Sequence, residues 1–235
     1  MDIESAVRYP MADDDWTATI LIGSVLTLLG FLIVPAFVVA GYLVSVARAR
    51  LNGEDVPPAF DDWVALTVDG LKATLIFVVY MFIPAVVFAV SVGASVLALL
   101  TGSEAGFAAA LGSILLGLLL SSVLALVFGY VAYVGLINFA REGSVAAGFD
   151  IGTITTVAFS ADYFVSFLLA VVVLIAVGFV VGLLNVVPVL GTALAAVPTF
   201  YGQVVVVALL TDGFGEVSGI GRGTPASGPR SRSQF

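Results

Sequence analysis

The stretch YFVSFLLAVVVLIAVGFVVGLLNVVPVLGTALAAVPTFYGQVVVVALLT, residues 163–211, contains no Asp, Glu, Lys or Arg. A bilayer core takes about 20 consecutive apolar residues per helix, so this block is long enough for two crossings. Near its middle stand Asn185, Pro188 and Gly191, residues that interrupt a helix. The block therefore divides into spans at 163–184 and 192–211. A chain in hydrocarbon must satisfy its own backbone N–H and C=O groups, and long unbroken apolar runs do so as helices.

Working outward, three more uncharged blocks precede it, at 17–46, 73–100 and 105–137. Together they predict an all-α fold: a polytopic integral membrane bundle of about five transmembrane helices with short interfacial helices. The first block is longer than one straight span and holds Pro35 in its second half. One long, tilted, Pro-kinked helix is the favoured reading. A re-entrant hairpin turning near Val34–Pro35 is the other. The expected organisation is an N-terminal interfacial segment over 1–15, a single transmembrane domain over 16–212 and a disordered Gly/Ser/Pro-rich tail over 213–235.

Composition agrees. Hydrophobic residues make up 61% of the 235 and charged residues 10%, with a mean hydropathy of +1.19. Soluble domains are about 45–50% apolar and about 25% charged. A soluble globule, a disordered chain and a nucleic-acid binder are excluded, the last also by a net charge of −8 without a basic patch. The bilayer is the expected partner, with membrane-protein partners or further copies of the chain beside it. Cysteine and histidine are absent. Disulfides, metal sites built on those residues and a His-based acid/base catalyst are excluded with them, and no cofactor is expected. The acids are mostly Asp and the cations mostly Arg, with Lys72 the one lysine. An acidic, Lys-poor set of water-facing segments suits high salt, so a halophilic source is expected.

The acidic start Met1–Glu4 is unlike a signal peptide. Ile3, Ala6 and Val7 fall at helical spacing, which predicts a short interfacial helix ended by Pro10. Asp13, Asp14 and Asp15 precede Trp16 as a helix cap and an interface anchor. Orientation follows from the cations. Arg48, Arg50, Lys72, Arg141, Arg222, Arg230 and Arg232 fall on one face of a five-span topology, with Arg8 opposite. The positive-inside rule makes that face cytoplasmic, so the loops 47–72 and 138–162 and the C-terminus are expected inside and the N-terminus outside. If the first block is a hairpin, the N-terminus moves inside and all eight cations share the face.

The two inside loops look alike. Each runs Arg, Gly, a small-residue spacer, then Phe-Asp, as Phe60-Asp61 and Phe149-Asp150, and each ends on an Asp at the membrane edge, Asp69 or Asp162. The apolar spacing after each Phe-Asp predicts a short in-plane helix N-capped by its Asp. The chemical alternative is that Asp61, Asp62, Asp69 and Asp150 converge on a hard cation or a polar substrate. Within the third span, Ala109, Ser113, Gly117, Ser121, Ala125 and Gly129 recur every four residues, a pattern that lets helices approach closely. Gly178 and Gly182 form a GxxxG pair in the fourth. Asn185 and Gln203 are candidates to line a polar cavity.

The runs RYP…DDDW (Arg8–Trp16), PAF…GY (Pro35–Tyr42), PPAFDDW…DGLKA (Pro57–Ala73), FAREG…AAGFD (Phe139–Asp150) and VPVLGTAL…FY (Val187–Tyr201) resemble the archaeal and haloarchaeal "domain of unknown function 4013" family of multi-pass membrane proteins. The resemblance covers roughly residues 5–212. It implies an uncharacterised protein of the archaeal cell membrane and brings no catalytic residues with it. Three functions follow as expectations. The first is a non-enzymatic scaffold or subunit of a membrane assembly. The others are a transporter or channel-like component for a small solute, and a membrane-surface enzyme acting on lipid headgroups.

Overall fold

The computed structural model describes residues 3–187 and 189–219. Among them the chain is helical, with no strand: α1 (Ile3–Arg8), a 3-10 turn (Tyr9–Met11), α2 (Trp16–Leu28), α3 (Ile33–Leu51), α4 (Trp63–Leu99), α5 (Glu104–Glu142), a second 3-10 turn (Val145–Phe149), α6 (Ile151–Ala158), α7 (Ala161–Leu184) and α8 (Leu190–Ser218). Five of these, α3, α4, α5, α7 and α8, are long and apolar enough to cross a membrane. This is the all-α polytopic bundle that the apolar blocks predict.

The first block is not one kinked helix. It breaks at Leu29–Leu32 into α2 and α3, and Pro35 sits in the first turn of α3. A proline there sacrifices no intrahelical N–H, and its ring would clash with the carbonyl of Phe31 if the helix continued upstream. The break is a tight turn in which the N–H groups of Leu29, Gly30 and Leu32 donate to Val25, Thr27 and Leu29. Phe31, Leu32, Ile33 and Val34 at the tip are exposed and wholly apolar. Three of its backbone N–H groups are satisfied locally, which lowers the cost of placing such an apolar tip in hydrocarbon. α2 has 13 residues, about 20 Å of helix, short of the roughly 30 Å core.

The two arms return to the same end of the molecule. The Tyr9 hydroxyl, just before α2, donates to the carbonyl of Val56, just after α3, at 3.2 Å. The N-terminal segment therefore lies beside the α3–α4 loop, correcting the expectation that it sits opposite. The described cations Arg8, Arg48, Arg50, Lys72 and Arg141 share this end, which we call the basic end; Arg222, Arg230 and Arg232 lie outside the described residues. The N-terminal segment also packs on the rest of the chain. Ala6 and Tyr9 are buried against the bundle while Ile3 and Val7 face out.

The core is concentrated in the basic half. Tyr42 stacks on Phe60 at 4.2 Å, and Phe200 of α8 packs at 5.5 Å from Tyr42. Gly23 in α2 makes room for that ring, because a Cβ there would fall 2.1 Å from Phe200. A second buried cluster joins Val134 and Ile137 of α5, Tyr163 of α7 and Leu210 and Phe214 of α8. Beyond these, α4 and α5 continue as a long antiparallel hairpin, and α7 runs alongside α8.

α8 passes the expected boundary at residue 212 and ends at Ser218. Phe214 is fully buried, and Gly213 lies so close to Ser166 that a Cβ would fall 2.1 Å from its Oγ. Packing thus keeps helical a segment whose composition reads as tail. The rest of the expected disordered tail, residues 220–235, lies outside the described residues.

Candidate functional site

The basic end gathers charge from four helices. Arg50, in the last turn of α3, holds Asp212 of α8 with two parallel bonds, Nε to Oδ1 at 3.1 Å and Nη2 to Oδ2 at 2.5 Å. The Tyr9 ring lies over the guanidinium, 4.7 Å from centroid to carbon. The Arg50 side chain is only 4% exposed and that of Asp212 24%. Burying a guanidinium is tolerable when its fork is matched by a carboxylate and its face by an aromatic ring. Burial pushes the Tyr9 phenol above its ordinary range, although the Arg50 charge pulls the other way. The pair joins the helix before the first loop to the last helix of the chain. Asp212 directly follows the last apolar block, and the sequence reading assigned it no partner.

A second cluster lies nearby. Asp69 of α4 accepts from Arg48 at 3.1 Å on one oxygen and from Lys72 at 3.4 Å on the other. Arg48 also donates from Nε to the carbonyl of Ala140 in α5 at 3.2 Å. One arginine thus ties α3 to both α4 and α5.

The loop aspartates do not converge. Asp62, not Asp61, caps α4: its carboxylate accepts from the Ala65 N–H at 2.9 Å, while Asp61 is exposed. Asp150 caps α6 as expected, accepting from the Gly152 N–H at 3.1 Å and the Thr153 hydroxyl at 2.7 Å. The Thr153 hydroxyl first, and the Gly152 N–H after it, hold the Asp150 carboxyl below its ordinary value. Among the described residues no three of His, Cys, Asp and Glu are placed to hold a metal ion. At the acidic triplet, Asp15 occupies the N-cap position of α2 but makes no side-chain cap bond.

The loops also differ where they were expected to match. The second carries the separate short helix α6, whereas the first runs unbroken into the span as α4. Ser160 explains the second loop, since its Oγ accepts from the Tyr163 N–H and starts α7 afresh. In the first loop the corresponding acid, Asp69, is held by Arg48 and Lys72. It caps nothing, and the helix continues.

The small-residue stripe is part of the α4–α5 seam. Gly117 is buried, and a Cβ there would meet Ser91 at 2.1 Å. Ser121 is buried, Ser113, Ala125 and Gly129 are half-buried, and Ala109 is exposed with Ala110 taking the buried place. Ser95 of α4 reaches across to the Ala110 carbonyl at 3.0 Å and to the Ser113 hydroxyl at 2.7 Å. Gly178 and Gly182 instead face open space, with nothing of the chain within 4 Å of an added Cβ. A closer approach, which the sequence reading did not single out, is α3 against α4. A Cβ on Gly41 would fall 1.8 Å from the Leu66 carbonyl oxygen, and one on Gly70 1.8 Å from that of Phe37. Small residues on both partners at one level, rather than a stripe on one, were the available signal.

Asn185 and Gln203 stand apart. Asn185 is exposed beyond α7, donating to the Val181 carbonyl and accepting from Thr192. Gln203 lies thirteen residues into α8, about 20 Å along the helix. Its Oε1 is buried without a hydrogen-bond partner.

No curated protein and no solved structure matches the chain. The model of one family, described as "Protein of unknown function (DUF4013)", matches residues 28–186. That range runs from the hairpin tip through α7 and takes in Arg48, Arg50 and Asp69, leaving Tyr9 and Asp212 outside it. With more than half of its length matched, the chain belongs to the DUF4013 family of uncharacterised proteins.

Proposed function

We propose that this multi-pass protein is a non-enzymatic scaffold or subunit of a membrane assembly, and that it receives a neighbouring transmembrane helix on α7. The observation that carries this reading is the open side of that helix. Within the chain 6% of the apolar stretch of α7 is buried, the lowest share of the five spans, against 11% for α4 and α5 and 61% for α8. Its Gly178 and Gly182 face outward with open space before them. Glycines four apart on an uncovered face allow another helix to approach closely. The charges at the basic end support the same reading. Arg48, Arg50, Asp62, Asp69, Asp150 and Asp212 are each engaged in joining or capping helices. That is the work of a framework, whereas headgroup chemistry would need the carboxylates together. A solute path along Asn185 and Gln203 would need those residues at one level.

The basic end is cytoplasmic on the positive-inside rule, in a cell membrane, and the Lys-poor acidic surface fits an archaeal, halophilic setting. The test is Gly178→Leu with Gly182→Leu in native membranes. Both positions are open within the chain, so melting of the isolated protein should hold, while disulfide cross-linking through Val181→Cys and co-purification of partner helices or further copies should be lost. Cross-linking unchanged by the leucines, or absent from the wild-type background, would refute the α7 face.

A further inference from the structure

We infer that the chain holds an anionic phospholipid at the basic end, with part of one acyl chain in a cavity between α3, α4, α5 and α8 and the phosphate against Lys72 and Arg48. The cavity has a volume of about 220 Å³ and an almost entirely apolar lining, including Leu43 and Ala47 of α3, Ala73 and Phe77 of α4, Leu136 of α5 and Val207 of α8. Phe77 is exposed and Leu43 and Leu136 are half-exposed, so the cavity opens sideways at the protein surface. Its level decides what can enter. The uncharged stretch of α4 begins at Ala73 and that of α5 ends at Ala140, within one turn of Ile137, and Ala73 and Ile137 both line the cavity. The cavity therefore begins where the hydrocarbon begins, and its mouth faces lipid tails rather than water.

The charge stands at the matching place. Arg48 follows Ala47 and Lys72 precedes Ala73, so each cation adjoins a lining residue on its polar side. Asp69 neutralises one of the two. One positive charge remains, shared by side chains that keep 39% and 40% of their surface exposed. A single net cation above an apolar slot complements a singly charged phosphodiester carrying a chain. At about 30 Å³ for each water-sized group, the volume accepts about seven chain carbons. That is a segment of one tail, the rest staying in the bilayer. A soluble apolar molecule would leave the cations unused, and free phosphate would leave the cavity empty.

The experiment uses delipidated full-length protein in a neutral detergent at constant ionic strength. Melting is followed against added phosphatidylglycerol, phosphatidylcholine with the same chains, and inorganic phosphate. Phosphatidylglycerol should raise the melting temperature in a concentration-dependent way, because it binds the folded state. Phosphatidylcholine should do so less, and phosphate not at all. Thr74→Phe places a ring at the half-exposed mouth and should abolish the phosphatidylglycerol shift while the lipid-free melting temperature holds or rises. Lys72→Gln leaves Asp69 paired with Arg48 and should weaken phosphatidylglycerol about fivefold, the effect of one basic residue near an anionic surface. Equal shifts from the two lipids, an equal shift from phosphate, or a phosphatidylglycerol shift untouched by Thr74→Phe would each overturn the site.

Discussion

Gly41→Ala tests the crossing of α3 over α4, where an added Cβ would meet backbone of the neighbouring helix more closely than at any other described glycine except Gly70, its counterpart in the same crossing. A Cβ on Gly41 would lie 1.8 Å from the Leu66 carbonyl oxygen and 2.6 Å from its carbon. A carbon needs about 3.3 Å from a carbonyl oxygen. The two helices must therefore separate by about 1.5 Å, since the obstacle is backbone and no side chain can rotate away. A gap of even 0.5–1 Å forfeits roughly a quarter to a half of the attraction of each contact it opens. Overpacking of this kind costs about 1–3 kcal/mol, and the rigid neighbour places Gly41 near the top of that range. Alanine returns about 1 kcal/mol as the better helix former. The net expectation is a loss of about 2 kcal/mol. Gly178→Ala meets open space and should be neutral, or gain up to about 1 kcal/mol. Gly41→Ala with Gly70→Ala should cost less than the sum, because one separation relieves both clashes. Unfolding in a mild detergent titrated with dodecyl sulfate, read by loss of helical ellipticity, measures all five proteins, the wild type and Gly70→Ala included. A Gly41→Ala protein as stable as the wild type, or indistinguishable from Gly178→Ala, would refute the crossing.

Asp62→Ala should lower stability by about 0.5–2 kcal/mol through loss of the α4 cap, with Asn or Ser tolerated there. Asp61→Ala should stay within about 0.5 kcal/mol of the wild type in the same thermal melts, and equal losses at the two sites would contradict the cap assignment. The Asp150 carboxyl, held below the ordinary 3.8, favours the folded state above that pH. Its contribution disappears as acid carries the pH below 3.8 and through the folded value. A carbon-13 titration of Asp150 should give a midpoint under 3.8, rising towards it in Thr153→Val; a wild-type midpoint above 3.8 would reverse the sign. Single cysteines at Ala12, Asn52 and Ser144 should react alike with an impermeant thiol reagent in intact cells, with Ser103→Cys behaving oppositely. Ala12→Cys grouping with Ser103→Cys would restore the single first span.

Sequence alone determined the class of this protein and most of its helices. Uncharged runs at 73–100, 105–137 and 163–211 are too long and too evenly apolar for barrel strands and satisfy their own backbones as helices, and α4, α5, α7 and α8 occupy them apart from one end residue and the join at 185–189. Asn185 and Gly191, at the break in the last run, bracket the join between α7 and α8. Turn and cap chemistry was legible where one residue was free to act, as at Asp150, and was assigned one residue early at Asp61, because either of two adjacent aspartates fits the pattern. What the sequence did not contain was the direction in which each helix faces. In a soluble helix a polar side marks the outside. In hydrocarbon both sides are apolar, so exposed Gly178 and buried Gly117 carry the same signal. Only the tertiary structure decided that Gly41 and Gly70 meet at a crossing, that the first block folds back on itself, and that Arg50 and Asp212, 162 residues apart in the chain, share one bond pair. Contacts between distant segments depend on the three-dimensional arrangement of helices, and a one-dimensional pattern of apolar residues satisfies many such arrangements equally well.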